Sequence, residues 1–356
     1  MTRVFLFFIL FGVCPFINLA QNIDSLMQQE EDYSMYDNAE VVSQNSTPRY
    51  CTSKILGGSP SKLISIGYDY QLPYTITSGV LPIKNIIEET TTINSTQGWR
   101  FSANIPIISN TKWLISLGAN YWNVVYDFKT NPIHPFSKTL AQNSLTTSGL
   151  NTTIFKPING STFILAQAAG DWSSNLSIGE NFTTEALRIS GALVYGWKKH
   201  DRKQFGVGIS RTYRAGEVNI LPVLLYNYTY PNRKVGYEML LPARAAVRYT
   251  ANSRNILLFG YELEGNSFYL KNIDSLSTKK MNVNFRKSEL RFRLTYDFSV
   301  YKFLWLSIQA GYRIGYLYNV DEGEFFRGFT GDQPYLLENK IQSAPYVNIS
   351  LNLVSP

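Results

Sequence analysis

Two histidines are the first place to look for chemistry. General acid–base and nucleophilic catalysis near neutral pH usually set a His beside Ser, Cys or Asp. His134 falls in a long polar loop and His200 in a short polar turn. Loop and turn belong to opposite ends of the strand pattern, roughly 25 Å or more apart. Neither His adjoins a patterned Ser or Asp, so both are expected to be exposed loop residues and no catalytic residue is assigned. The carboxylate runs Glu88-Glu89 and Asp321-Glu322-Gly323-Glu324 lack the spacing of a Ca²⁺ loop and read as solvated loop charge. Cys14 and Cys51 are the only cysteines, and Cys14 lies in a leader-like stretch, which leaves no disulfide and no cysteine metal cluster for the remaining chain. No phosphate loop or dinucleotide fingerprint occurs. The expectation is a chain without cofactor or metal.

The charges that do follow a pattern are mostly arginines. Over 289–298, Glu289, Arg291, Arg293 and Asp297 alternate with Leu290, Phe292, Leu294, Tyr296 and Phe298. Successive side chains of a strand point to opposite faces, so this is one charged face and one apolar face. Arg100, Arg188, Glu238, Arg244, Arg248, Glu262 and Arg313 hold polar-face positions on other runs. Together these residues are the candidate lining of a barrel lumen. Basic groups outnumber acids among them, which points to an anion-preferring passage through a low-dielectric wall. The alternative is a closed lumen glued by Arg–carboxylate pairs.

The elements that must position these charges are strands of the length that crosses a bilayer at a tilt, about 9–11 residues. Residues 1–20 read as a secretory signal peptide, with Arg3, an apolar core over 4–13 and an exit at Asn18-Leu19-Ala20. Residues 21–60 are polar and read as a flexible tail. From Lys62 alternation recurs to Val354, so 61–356 is expected to be a single barrel. Long polar connections at 71–97, 127–143, 173–184, 265–284 and 320–340 alternate with short ones. Short turns at one rim and long loops at the other mark an outer-membrane barrel. The stretch 218–249 resists, because Pro222 and Pro242 interrupt it. A proline cannot donate to a ladder, so 219–228 is demoted and 235–249 is counted as one strand. The expected architecture is all-β, a transmembrane antiparallel up-and-down barrel of about 12 strands, with 10 or 14 as alternatives.

A soluble barrel with its apolar face inward gives the same alternation. The leader, the asymmetric loops and aromatics near strand ends (Trp99, Trp113, Tyr195, Trp197, Tyr312, Tyr316, Tyr318) favour the membrane form. Composition agrees. Of 356 residues only 17% are charged, against roughly 25% in soluble domains, and 24 Tyr and 21 Phe are present. The net charge of +7 is scattered without a Lys/Arg block or nucleic-acid motif, so no nucleic-acid partner is expected.

The alternating strands, the leader ending Ala20-Gln21, and Gly206-Val207-Gly208-Ile209-Ser210 and Leu240-Leu241-Pro242-Ala243 resemble porin-like outer-membrane β-barrel families of Gram-negative bacteria. More narrowly, the chain resembles a barrel domain of unknown function. The resemblance implies an outer-membrane location, membrane lipids and the barrel-assembly machinery as partners, and small solutes as possible cargo. It brings no functional residues. A non-conducting barrel used for adhesion or docking is the alternative function, and an outer-membrane hydrolase a third.

Overall fold

The structure, a computed structural model, describes residues 51–81, 85–177, 179–180, 182–212, 219–271, 283–321 and 335–355. The signal peptide expected over 1–20, and the tail over 21–60 as far as residue 50, lie outside the described residues.

In chain order the elements are β1 (Lys62–Gln71), β2 (Tyr74–Ser78), β3 (Glu89–Ser109), β4 (Leu114–Phe128), a helix α1 (Pro135–Gln142), β5 (Leu145–Pro157), β6 (Thr162–Ser174), β7 (Leu187–His200), β8 (Lys203–Thr212), β9 (Asn219–Thr229), β10 (Val235–Leu241), β11 (Arg244–Asn252), β12 (Asn255–Leu270), β13 (Val283–Tyr301), β14 (Leu304–Asp321), β15 (Lys340–Ile341) and β16 (Ala344–Val354). Each strand from β3 to β14 pairs antiparallel with the next. β14 pairs with β16, β16 with β1, and β1 with β3, which closes the ring. The barrel has fourteen strands. β2 and β15 extend it at the long-loop end, where β2 pairs with the start of β3 and β15 with β2.

Fourteen strands is the upper of the counts left open by the sequence, and two segments account for the difference from twelve. The demoted segment 219–228 is β9, paired along its length with β8. The stretch 235–249 is two strands, because the chain folds back at Pro242-Ala243. Pro222 is tolerated because β9 has outrun β10 there. The last β9–β10 partners are Leu224 and Leu241, so Pro222 lies where β9 has a neighbour on one side only. Parts of the expected loops are also strand, most of all in two of them: β12 runs to Leu270 and β13 starts at Val283 within 265–284, and β2 and residues 89–97 of β3 fall within 71–97.

The wall carries its apolar side outward. Ile66, Phe101, Leu150, Leu193, Ile209, Phe259, Leu294 and Ile349, from eight different strands, are all exposed. Arg291, Asp297, Arg313 and Asn352 on the alternate face are buried.

Both ends of the barrel are obstructed. At the long-loop end the upper parts of β12, β13 and β14 close over β3 and β4 and trap a dry core. Phe268, Phe285, Tyr318, Tyr126 and Ile93 pack there with Phe136 and Leu140 of α1. Phe285 meets Phe136 and Tyr318 edge-on at 5.1 and 4.7 Å between ring centres. β12 also reaches across to β6, where Tyr269 pairs with Ser174 and Asn266 donates to Thr147 and Ser173. At the short-turn end, residues 51–61 form a strap along the rim. The Cys51 amide donates to Asn159 O, the Leu56 amide to Asp201 O, and the Ser59 amide and hydroxyl to Glu238. Lys198 Nζ donates to Thr52 Oγ1 at 2.6 Å. The end of the segment expected to be a flexible tail is thus tied to the β5–β6 and β7–β8 turns and to Glu238 of β10.

Candidate lumen site

Two walls of unlike chemistry lie on opposite sides of the ring. One is charged, and strand parity builds it: β1, β3, β12, β13 and β14 each direct charged residues at alternate positions inward. Arg100 Nε donates to Asp69 at 2.7 Å and its Nη2 to Glu264 at 2.7 Å. Arg313 Nη2 lies 2.7 Å from the other Asp69 oxygen, and its Nη1 donates to Gln71 at 3.1 Å. Arg291 donates to Glu264 at 2.7 Å and to Glu289 at 3.2 Å, and Glu289 also takes Lys287 at 2.9 Å. Arg293 pairs with Glu262. The Tyr346 ring stacks under Arg313, 4.4 Å from ring centre to guanidinium carbon. These links run from β3 through β1 to β14 and from β3 to β12 and β13, so they tie the wall across the lumen as well as along it. A buried ion pair is held only when most of its remaining donors and acceptors are also met, and the shared carboxylates meet all but the Nε groups of Arg291 and Arg313, which have no hydrogen-bond partner among the described residues.

The other wall is apolar. Phe155, Phe163, Val194, Val223 and Leu225 of β5 to β9 cluster inside the barrel with Leu114, Leu165 and Leu240. Cys51 of the strap is buried against them. Burial pushes its thiol above the ordinary range, with the nearby Lys198 opposing. Gly196 admits the Phe163 ring, since a Cβ there would stand 2.1 Å from it.

A cavity of about 790 Å³ lies between the walls. Seven cationic side chains line it against four carboxylates, Asp69, Asp171, Glu262 and Glu264. Of the residues expected to line a lumen, Arg100, Arg188, Arg244, Glu262, Arg291 and Arg293 border this cavity. Glu289, Asp297 and Arg313 are buried in the charged wall beside it. Arg188 donates to Ser267 O and Asn284 Oδ1, which makes it a fastener for the upper end of β12. Glu238 and Arg248 sit elsewhere. They pair with each other at 3.0 Å, and Glu238 holds Ser59 of the strap, so they serve the short-turn end instead of the cavity. Sequence reasoning missed Asp69, Glu264 and Lys287. The signal was present, since Glu264 shares parity with Glu262, Lys287 with Glu289, and Asp69 alternates with Tyr68 and Tyr70.

His134 is buried, not exposed as expected. Its Nδ1 accepts from the Phe136 amide at 3.2 Å as the N-cap of α1, and its Nε2 meets Gly79 O at 3.1 Å. That pattern needs the neutral ring, and burial lowers its pKa. It is a structural cap at the long-loop end. His200 ends β7 beside the opposite, short-turn rim. Among the described residues no group of His, Cys, Asp and Glu is placed to hold a metal.

A family model described as a domain of unknown function (DUF6268) matches residues 78–354. No curated protein matches the chain. Among solved structures, the COG4313 outer membrane channel from Pseudomonas putida F1 is similar at 11% identity, over 83% of this chain and 97% of that one, with a TM-score of 0.37. The Pseudomonas putida toluene transporter TodX is similar at 11% identity over 86% and 95%, with a TM-score of 0.32.

Proposed function

This chain belongs to the DUF6268 family of unknown function, and we propose that it is an outer-membrane, channel-like β-barrel that admits small solutes, anions preferentially, to a polar lumen. One observation carries the reading: the barrel is inverted relative to a soluble one. Charged residues such as Arg291, Arg313 and Asp69 are buried inside, and an apolar belt including Phe259 and Leu294 is exposed. In water that belt would be an unmanaged hydrophobic surface on every side of the molecule. In a bilayer it meets hydrocarbon, and the charges escape a cost of about 2–4 kcal/mol each at mid-depth. The leader over 1–20 fits export to the envelope, where barrel-assembly machinery would insert the chain. The excess of cations lining the cavity supports the anion preference.

Planar-bilayer recording tests this. We expect small single-channel steps with a reversal potential favouring anions, shifted toward cations by Arg244→Ser and Arg293→Ser. Clear cation selectivity in the wild type would refute the preference. A second reading has its own observation: the dry core at the long-loop end favours a non-conducting barrel that docks partners through its loops. Silence in the bilayer, with normal insertion, would favour that reading.

A further inference from the structure

The barrel wall has a notch. β10 and β11 have seven and nine residues, the shortest of the ring. Their last ladder partners at the long-loop side are Leu224 for Leu241 and Glu262 for Arg244. Beyond those partners β9 continues to Asn219 and β12 to Leu270. Among the described residues β9 has no ladder neighbour on its facing edge there, while β12, after a last bond from the Leu263 amide to Ala243 O, leans away across the lumen and pairs at Tyr269 with Ser174 of β6. At about 3.3 Å per residue the β9 lip stands roughly 16 Å above the floor.

The cavity reaches this notch. Leu221 on the β9 lip, Pro242 and Ala243 on the floor and Leu263 on the β12 lip all line it. The notch also falls inside the apolar belt. Glu262 at the floor pairs with Arg291, and the next outward residue, Phe292, is exposed. On the other side Ile220 is exposed outward near the top of β9. At the floor stands Arg244, which is exposed, borders the cavity and makes no ion pair among the described residues. Its cross-strand partner Glu262 is engaged by Arg293. Just inside lie Leu240 and Val223 of the apolar wall.

We propose that the notch is a lateral entrance from the hydrocarbon to the lumen, and that its ligand is a single-chain amphiphilic anion such as a medium-chain carboxylate. The carboxylate meets Arg244 and the chain lies along the Leu240–Val223 wall. A notch at belt depth offers an apolar chain a route that never crosses water. An unengaged guanidinium at its floor supplies a bidentate partner for a carboxylate. The cavity volume is in the range of small-ligand sites, about 300–1,000 Å³. The inference rests on the membrane placement proposed for the barrel.

The test uses the full chain in phosphatidylcholine nanodiscs, with dansyl-undecanoate as the probe, competed by decanoate and by decanol. Wild-type protein should bind the probe, and decanoate should compete better than decanol. Arg244→Ser should weaken decanoate about tenfold, equal to about 1.4 kcal/mol, and leave decanol unchanged. Ala243→Trp, which fills the floor, should slow probe entry at least tenfold. Equal loss of decanoate and decanol in Arg244→Ser, or an unchanged entry rate in Ala243→Trp, would overturn the entrance. Brominated acyl chains separate the two levels. Quenching of tryptophan fluorescence without probe binding overturns the entrance alone, and absence of quenching overturns the membrane placement first.

Discussion

Asp69 is the single carboxylate on which the charged wall converges, with Arg100 and Arg313 each at 2.7 Å on separate oxygens and Arg291 at 3.9 Å. Removing one partner from a buried ionic network leaves uncompensated charge, which costs about 3–5 kcal/mol. Asp69→Asn should therefore lower the unfolding free energy in lipid vesicles, measured by urea titration, by that much, while Glu262→Gln, at the cavity edge, should cost less. His134 sets a pH dependence at the long-loop end. Its pKa is lowered by burial, and the unfolded chain, with the ordinary value near 6.5, binds the proton more readily. Stability is therefore full above the ordinary value and falls with the pH below it, as protonation of Nδ1 breaks the cap to Phe136. His134→Asn, which caps without titrating, should flatten the difference in stability between pH 7 and pH 5, measured by urea unfolding. Either residue's chemistry could be named from its type, but its partners could not. Asp69 is brought to Arg313 by a closure between β1, β16 and β14 that local pattern does not encode.

The helix α1 is a short element with a large consequence. Phe136 and Leu140 fill the dry core between β4 and β13–β14. Phe136→Ala should cost about 3–5 kcal/mol locally. Because the ladders from β3 to β14 do not depend on it, the barrel should persist. The expected readouts are proteolytic cleavage near 129–144 and larger single-channel steps, since the core is what closes that end. Unchanged protection would show that α1 is dispensable to the closure. Among strands, legibility followed the chemistry of the lumen. β13 and β14 alternate cleanly because one face is charged. β9, β10 and parts of β6 do not, because their inward residues Val223, Leu225, Leu240 and Leu165 belong to the apolar wall. With both faces apolar, period-2 contrast vanishes, and the prolines were left as the only local signal. That is why the local pattern hides β9 and runs β10 and β11 together.

For the molecule as a whole, orientation is the property on which function depends. Leu294→Arg places a charge in the outward belt and should cost about 2–4 kcal/mol of stability in lipid vesicles. The same substitution should be nearly neutral if the exposed face met water. Both ends are obstructed, by a dry core and by the strap over 51–61, and the side wall is lowest at β10–β11. For the proposed channel, traffic is therefore expected to be selective and slow.

The chain's own order of residues determined the strand class, the direction in which each charged face must look and the presence of long and short rims. Those properties rest on neighbours one and two residues apart, which the period of a strand makes visible. Tertiary structure alone decided the fourteenth strand, the burial of His134, the split of the lumen into charged and apolar walls, and the notch at Pro242. Each depends on which strands meet after the ring closes, and closure is set by registers between residues hundreds of positions apart.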